Sequence, residues 1–126
     1  MKWLLLTAAA LLLILGLSLG VWYYLTDSAE QVCRELDRVE QAAEAENWID
    51  AAAALEAAGE RWGELRPRWA WLTDQQQVDA VGLGLTELAS LVKRRQQEEA
   101  LQALNALRFT LRQAAEGERP GWENVF

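Results

Sequence analysis

The sequence predicts an all-α protein: an N-terminal transmembrane helix over residues 1–26, then a small antiparallel bundle of about four helices over residues 27–126. Three observations carry that expectation. No charged residue occurs from Trp3 to Thr26. Trp48, Leu55, Trp62 and Trp69 recur every seven residues, with Ala52 and Leu65 between them, which is one face of a helix. Two further stretches, Val32 to Ala43 and Val78 to Val92, set apolar residues at alternating steps of three and four.

The apolar stretch comes first. At 1.5 Å per residue it is roughly 35 Å long as a helix, enough for a hydrocarbon core of about 30 Å. Trp3 stands at one end and Trp22, Tyr23 and Tyr24 at the other, where amphipathic rings suit the headgroup zones. Lys2 precedes the span and Asp27 and Glu30 follow it. The positive-inside rule then places the N-terminus in the cytoplasm and the bundle outside the cell membrane. A cleaved signal peptide is the alternative, with Leu11 to Leu15 as its apolar centre and Ser18-Leu19-Gly20 as its cleavage site; the product would be secreted. The length and the aromatic girdle favour a retained, single-pass anchor. Gly16 and Gly20 form a GxxxG pair, the candidate site for association between membrane helices.

Beyond the span, Ser28 and Gln31 have capping-box spacing and are expected to start the first bundle helix. Val32, Leu36, Val39 and Ala43 mark its inner face; Glu30, Glu35, Asp37, Glu40 and Glu44 read as its wet side. Cys33 lies beside the apolar stripe. It is either a small buried side chain or half of a disulfide between two chains. Asn47 is expected to cap the tryptophan helix, with Asp50 at the N3 position. Pro67 is expected to break or kink that helix, leaving Trp69, Trp71 and Leu72 in a short turn or bend. Thr73, with Gln76, opens the third helix. Its Gly82 and Gly84 each cost about 1 kcal/mol relative to alanine and imply close approach of a neighbour.

From Lys93 to Glu99 every residue is polar, and the apolar phase then slips to Leu101, Leu104, Leu107 and Leu111. A short turn explains the slip, and one continuous helix is the alternative. Lys93, Arg94 and Arg95 suit a helix C-terminus, and Glu98 and Glu99 suit an N-terminus, which favours the turn. The fourth helix is expected to end near Gly117. Trp122, Val125 and Phe126 then make an apolar tail suited to docking on the bundle or on a partner.

Composition narrows the chemistry. Histidine is absent, which removes the commonest general base and the commonest transition-metal ligand. One cysteine excludes an intramolecular disulfide and a multi-cysteine zinc site. A formal net charge of −7 argues against nucleic acid as a partner. No catalytic, metal or cofactor-binding residues are expected, and no cofactor.

The chain resembles the Domain of Unknown Function 4363 (DUF4363) family, short single-pass membrane proteins mainly of Firmicutes. The resemblance rests on Glu46-Asn47-Trp48, on Trp62, on Thr73-Asp74-Gln75 leading to Val78-Asp79, and on Trp122-Glu123-Asn124-Val125-Phe126. Gln75 stands where the family often has histidine, so no metal or proton-transfer role of that histidine carries over. The resemblance implies a membrane helix with a small helical domain. It also suggests a multi-pass membrane protein of the YetF type as a partner.

The expected function is therefore a non-catalytic interaction or scaffold role beside another membrane or cell-envelope protein. The partner surface would be formed by Trp69, Trp71, Trp122, Val125 and Phe126, and homo-oligomers stay open. A glycan- or small-ligand-binding module, with Trp69 and Trp71 lining a cleft, is the alternative. A carboxylate-dependent hydrolase is the third reading, with Asp50, Glu60 and Glu64 as its candidates, since two carboxylates held about 5–9 Å apart can cleave a glycosidic bond.

Overall fold

The computed structural model describes residues 1–116. Helices α1 (Lys2–Glu44), α2 (Trp48–Leu72), α3 (Gln75–Lys93) and α4 (Gln97–Glu116) make up this part. Each packs on the next and α4 closes back on α1, giving an antiparallel up-down-up-down bundle. Of the neighbouring pairs, α2 and α3 are packed least closely.

α1 is one helix of 43 residues, roughly 65 Å long. The expected start at Ser28 does not occur. Residues 25–28 hold no glycine or proline, and the Ser28 hydroxyl donates to the Tyr24 carbonyl at 2.7 Å. A serine with a partner inside its own helix does not act as a cap. Gln31 donates to Asp27 Oδ2 at 3.0 Å instead of closing a capping box. The two segments expected separately are thus one rod. Its first part is long and apolar enough to cross a membrane, and none of that stretch is buried in the bundle. Farther on, Leu25, Ala29, Val32, Leu36, Val39 and Ala43 form a buried stripe at steps of four and three. Core packing therefore begins slightly before residue 27.

α2 presents Ala51, Leu55, Ala58, Trp62, Leu65 and Trp69 to the core, again at steps of four and three. Trp48 is half-buried at the edge of this seam, and Ala52 is exposed rather than part of it. Pro67 does not end the helix. An interior proline costs about 3 kcal/mol. Burying an indole of 150–250 Å² at about 25 cal/mol per Å² returns roughly 4–6 kcal/mol. Trp69 is fully buried and stacks edge-on against Trp62, with ring centroids 5.2 Å apart and planes at 75°. That packing carries the helix one turn past Pro67, and the Thr73 N–H closes the turn on the Trp69 carbonyl at 2.9 Å.

The turn at 94–96 separates α3 from α4, as the phase slip requires. It repeats the geometry of the turn at 45–47. In the first, Glu46 N–H bonds to the Ala43 carbonyl and Asn47 N–H to the Ala42 carbonyl; in the second, Arg95 and Gln96 do the same with Val92 and Leu91. These are Schellman closures, which need a left-handed residue at the position after the cap. Glu46 (φ 56°) and Arg95 (φ 57°) take that conformation without being glycine. For an L-residue it costs about 1–2 kcal/mol. Glu46→Gly and Arg95→Gly are each expected to stabilise the bundle by about 1 kcal/mol, because part of that cost is offset by the added freedom of glycine in the unfolded chain. Urea unfolding of each variant, compared with Glu46→Ala and Arg95→Ala, checks this; a loss of stability in both glycine variants would contradict it.

Asn47 caps α2 as expected, accepting from the Asp50 N–H at 3.3 Å. Asp74, not Thr73, caps α3 and accepts from the Gln76 N–H at 3.1 Å. Gln97 opens α4 and donates to the last carbonyls of α1, Ala43 at 3.0 Å and Glu44 at 3.2 Å, tying the two hairpins together. The close approach expected at the α3 glycines is found at Gly84 alone. A methyl group there would lie 2.8 Å from Leu107 Cδ1, whereas Gly82 has nothing within 4 Å.

Candidate functional site

Several of the residues singled out in the sequence meet at one place, the foot of the bundle where α1 leaves it. Gly16, Leu17, Gly20, Val21 and Tyr24 from α1 face Arg68, Trp71 and Leu72 from the last turn of α2 across an apolar groove of about 520 Å³. Gly16 and Gly20 hold the groove open, since no atom stands within 4 Å of where their Cβ would be. Trp71 is 90% exposed. Its companion in the expected aromatic surface, Trp69, is not available: two residues apart on a helix, the rings point to nearly opposite sides, and Trp69 is in the core. The paired-indole cleft is therefore not formed. Trp122, Val125 and Phe126 lie outside the described residues. The aromatic residues at the end of the apolar stretch are divided as well, for Tyr23 is exposed while Trp22 and Tyr24 are half-buried against the bundle.

A second apolar groove, about 730 Å³, runs along the loosely packed α2–α3 seam. Trp48, Ile49, Leu55, Leu85 and Val92 line it, with Lys93 and Arg95 at its rim. Ile49 is 82% exposed. This groove was missed in the sequence. Its signal was present in Ala52, Gly59 and Ala89, which line it and are too small to fill it.

The acidic candidates do not assemble as a pair that includes Asp50. Asp50 accepts from Asn47 Nδ2 at 2.7 Å, at the start of α2. Glu60 lies roughly 15 Å farther along that helix, beyond the spacing a carboxylate pair needs. Glu60 and Glu64 share a shallow polar groove with Arg34, Arg38 and Arg61, and Glu64 is paired with Arg61 at 3.1 Å. Among the described residues, no group of three or more Asp, Glu or Cys is placed to hold a metal ion.

The family comparison fits this layout. A family model described as "Domain of unknown function (DUF4363)" matches residues 19–125. The chain belongs to the DUF4363 family. No curated protein and no solved structure matches it. The match begins at Leu19, within the apolar stretch of α1, and takes in all of the bundle.

In this DUF4363 domain the motif residues read as structural devices. Glu46 is the left-handed residue of the first turn, Asn47 caps α2, and Trp48 borders the α2–α3 groove. Trp62 is core, and Asp74 caps α3. Gln75 donates to Asp79 Oδ1 at 3.2 Å across one turn of α3. Cys33 is buried in the α1 stripe, so a disulfide between copies would require the core to open. Burial pushes its thiol above the ordinary value, and Arg112 opposes that shift. Arg108 of α4 clasps α1 by reaching Asp37 and Glu40, 2.5 Å from each. Burial works against its charge, but the hydrogen bonds it donates to Glu40 and Asp37 outweigh that and raise its pKa.

Proposed function

We propose that this DUF4363 protein is a single-pass membrane protein whose helical bundle is a non-catalytic interaction module for another membrane or cell-envelope protein. The observation that carries this reading is the continuity of α1. One helix is apolar and unpacked at its start and is the spine of the bundle core at its end. A bundle built on the anchor itself is held at a set height and angle relative to the membrane, which suits docking onto a neighbour in the same membrane. Lys2 before the span and Asp27 and Glu30 after it favour a cytoplasmic N-terminus and an extracytoplasmic bundle. The YetF type of multi-pass protein is the partner suggested by the family resemblance.

The α2–α3 groove is the surface we assign to the partner. It joins an exposed Ile49 and a half-buried Trp48 to a rim of Lys93 and Arg95, the apolar centre and charged edge of a protein interface. A photocrosslinking residue at position 49 is expected to capture one membrane or envelope protein in native membranes, and Lys93→Glu with Arg95→Glu is expected to reduce the yield. Capture of nothing, or equal capture from a control site such as Gln113, would count against the assignment. A second reading takes the same groove as a pocket for a small apolar ligand, because its volume lies in the usual range for such sites. Titration of Trp48 fluorescence with candidate ligands separates the two.

A further inference from the structure

Counting along α1 sets the depth of the bundle, given the anchored reading above. A hydrocarbon core of about 30 Å takes about 20 helical residues. A span that begins at Trp3 therefore ends near Trp22. The groove at the foot of the bundle reaches from Gly16 to Tyr24 along the same helix. The last turn of α2 thus stands beside the final turns of the span and not above them. A surface at that depth meets the acyl–headgroup boundary.

The residues there suit that boundary. Trp71 is almost fully exposed, and a lone exposed aromatic would be ordinary on a surface in water. At this depth it is an interfacial indole. No acidic residue lies between Glu64 and Asp74. Arg68 makes no ion pair among the described residues, and its stem lines the apolar groove. An arginine so placed can run its methylenes along lipid and lift its guanidinium to a phosphate. The faces of Gly16 and Gly20 leave a channel beside the ring of Trp71, without side chains to exclude an acyl chain.

We propose that the foot of the bundle is a lipid-binding surface, with Trp71 at the acyl–headgroup boundary of the leaflet on the bundle's side, Arg68 on a lipid phosphate, and the Gly16–Gly20 groove along an acyl chain. The glycine pair then serves lipid contact rather than pairing of two anchors.

The test reconstitutes the full chain and its Trp71→Phe and Trp3→Phe variants in phosphatidylcholine–phosphatidylglycerol vesicles. The lipids carry bromine at shallow or deep acyl positions, and tryptophan emission is read. Emission lost in Trp71→Phe is expected to be the fraction quenched by shallow bromine, more than by deep bromine, and poorly quenched by aqueous iodide. Arg68→Glu is expected to lower the shallow quenching of Trp71. Emission from Trp71 that iodide quenches and neither bromolipid reaches would overturn the proposal. So would shallow quenching that disappears as protein density rises while energy transfer between labelled copies grows, which would put a second chain in the groove. The Trp3→Phe difference and vesicle flotation report on the anchor separately: a chain that fails to float and whose Trp3 is not quenched has lost the anchored reading itself.

Discussion

Trp69→Ala is expected to cost the bundle about 3–5 kcal/mol, a large share of the 5–15 kcal/mol that holds a domain of this size together. Trp69 is the largest fully buried side chain among the described residues. It forms the edge-on pair with Trp62 and lies in the part of α2 that continues past Pro67. Truncation leaves a cavity at the foot of the bundle and removes the burial that offsets Pro67, so the last turn of α2 should fray as well. The Trp69 indole N–H has no partner among the described residues, and Trp69→Phe keeps most of the ring's packing, so it should cost less than the alanine variant. Thermal unfolding followed by circular dichroism in detergent micelles measures this. The apolar part of α1 stays helical in the micelle, so the signal that melts belongs to the bundle. A drop in Tm of about 15 °C or more is expected for Trp69→Ala, and almost none for Trp71→Ala. Equal losses in the two variants would contradict the burial of Trp69 and the exposure of Trp71.

Arginine at both Leu12 and Leu13 is expected to remove the chain from the membrane. These residues lie near the middle of the apolar stretch, and both are exposed. Each substitution there costs about 3 kcal/mol of insertion free energy, so the pair shifts partition by roughly four orders of magnitude. The bundle should be untouched, because no core residue precedes Leu25. Carbonate extraction of membranes, with circular dichroism of the released protein, reads both effects. A double variant that stays in the carbonate-resistant pellet would refute α1 as the anchor. A released variant that is unfolded would show that the bundle depends on its membrane-facing foot. The intact mass of the parent in the membrane fraction distinguishes a retained anchor from cleavage near Gly20.

Some features were legible in the residues because their cause is local. The uncharged run from Trp3, the stripes of α1 and α3 and the Asn47 cap each depend on spacing within one helix. The phase slip after Val92 located the α3–α4 turn even though glycine is missing there. What stayed hidden was the device that makes the turn, since Arg95 and Glu46 adopt a backbone conformation their side chains disfavour. Ser28 read as a helix start because serine caps well in isolation. In the chain it lies between Leu25 and Ala29, and burial of both keeps the helix running. Its hydroxyl then bonds within its own helix. Ala52 read as part of the tryptophan face because seven-residue spacing does not say which side of that face meets the core.

The candidate site divides in the same way. Gly16, Gly20 and Trp71 could each be picked out by residue type, but nothing in their positions along the chain joins them. Only the return of α2 along α1 brings them to one groove. Trp69 and Trp71 are alike in sequence, and packing sends one into the core and leaves the other outside. The sequence by itself determined that this is a helical protein whose N-terminal segment is long and apolar enough to cross a membrane, because burial periodicity and segment length are properties of single segments. The tertiary structure decided that the apolar segment and the bundle share one helix, that Pro67 is carried within α2, and which aromatic residue faces outward. Each of those outcomes depends on burial against another helix, worth several kcal/mol and able to override a local preference of one to three.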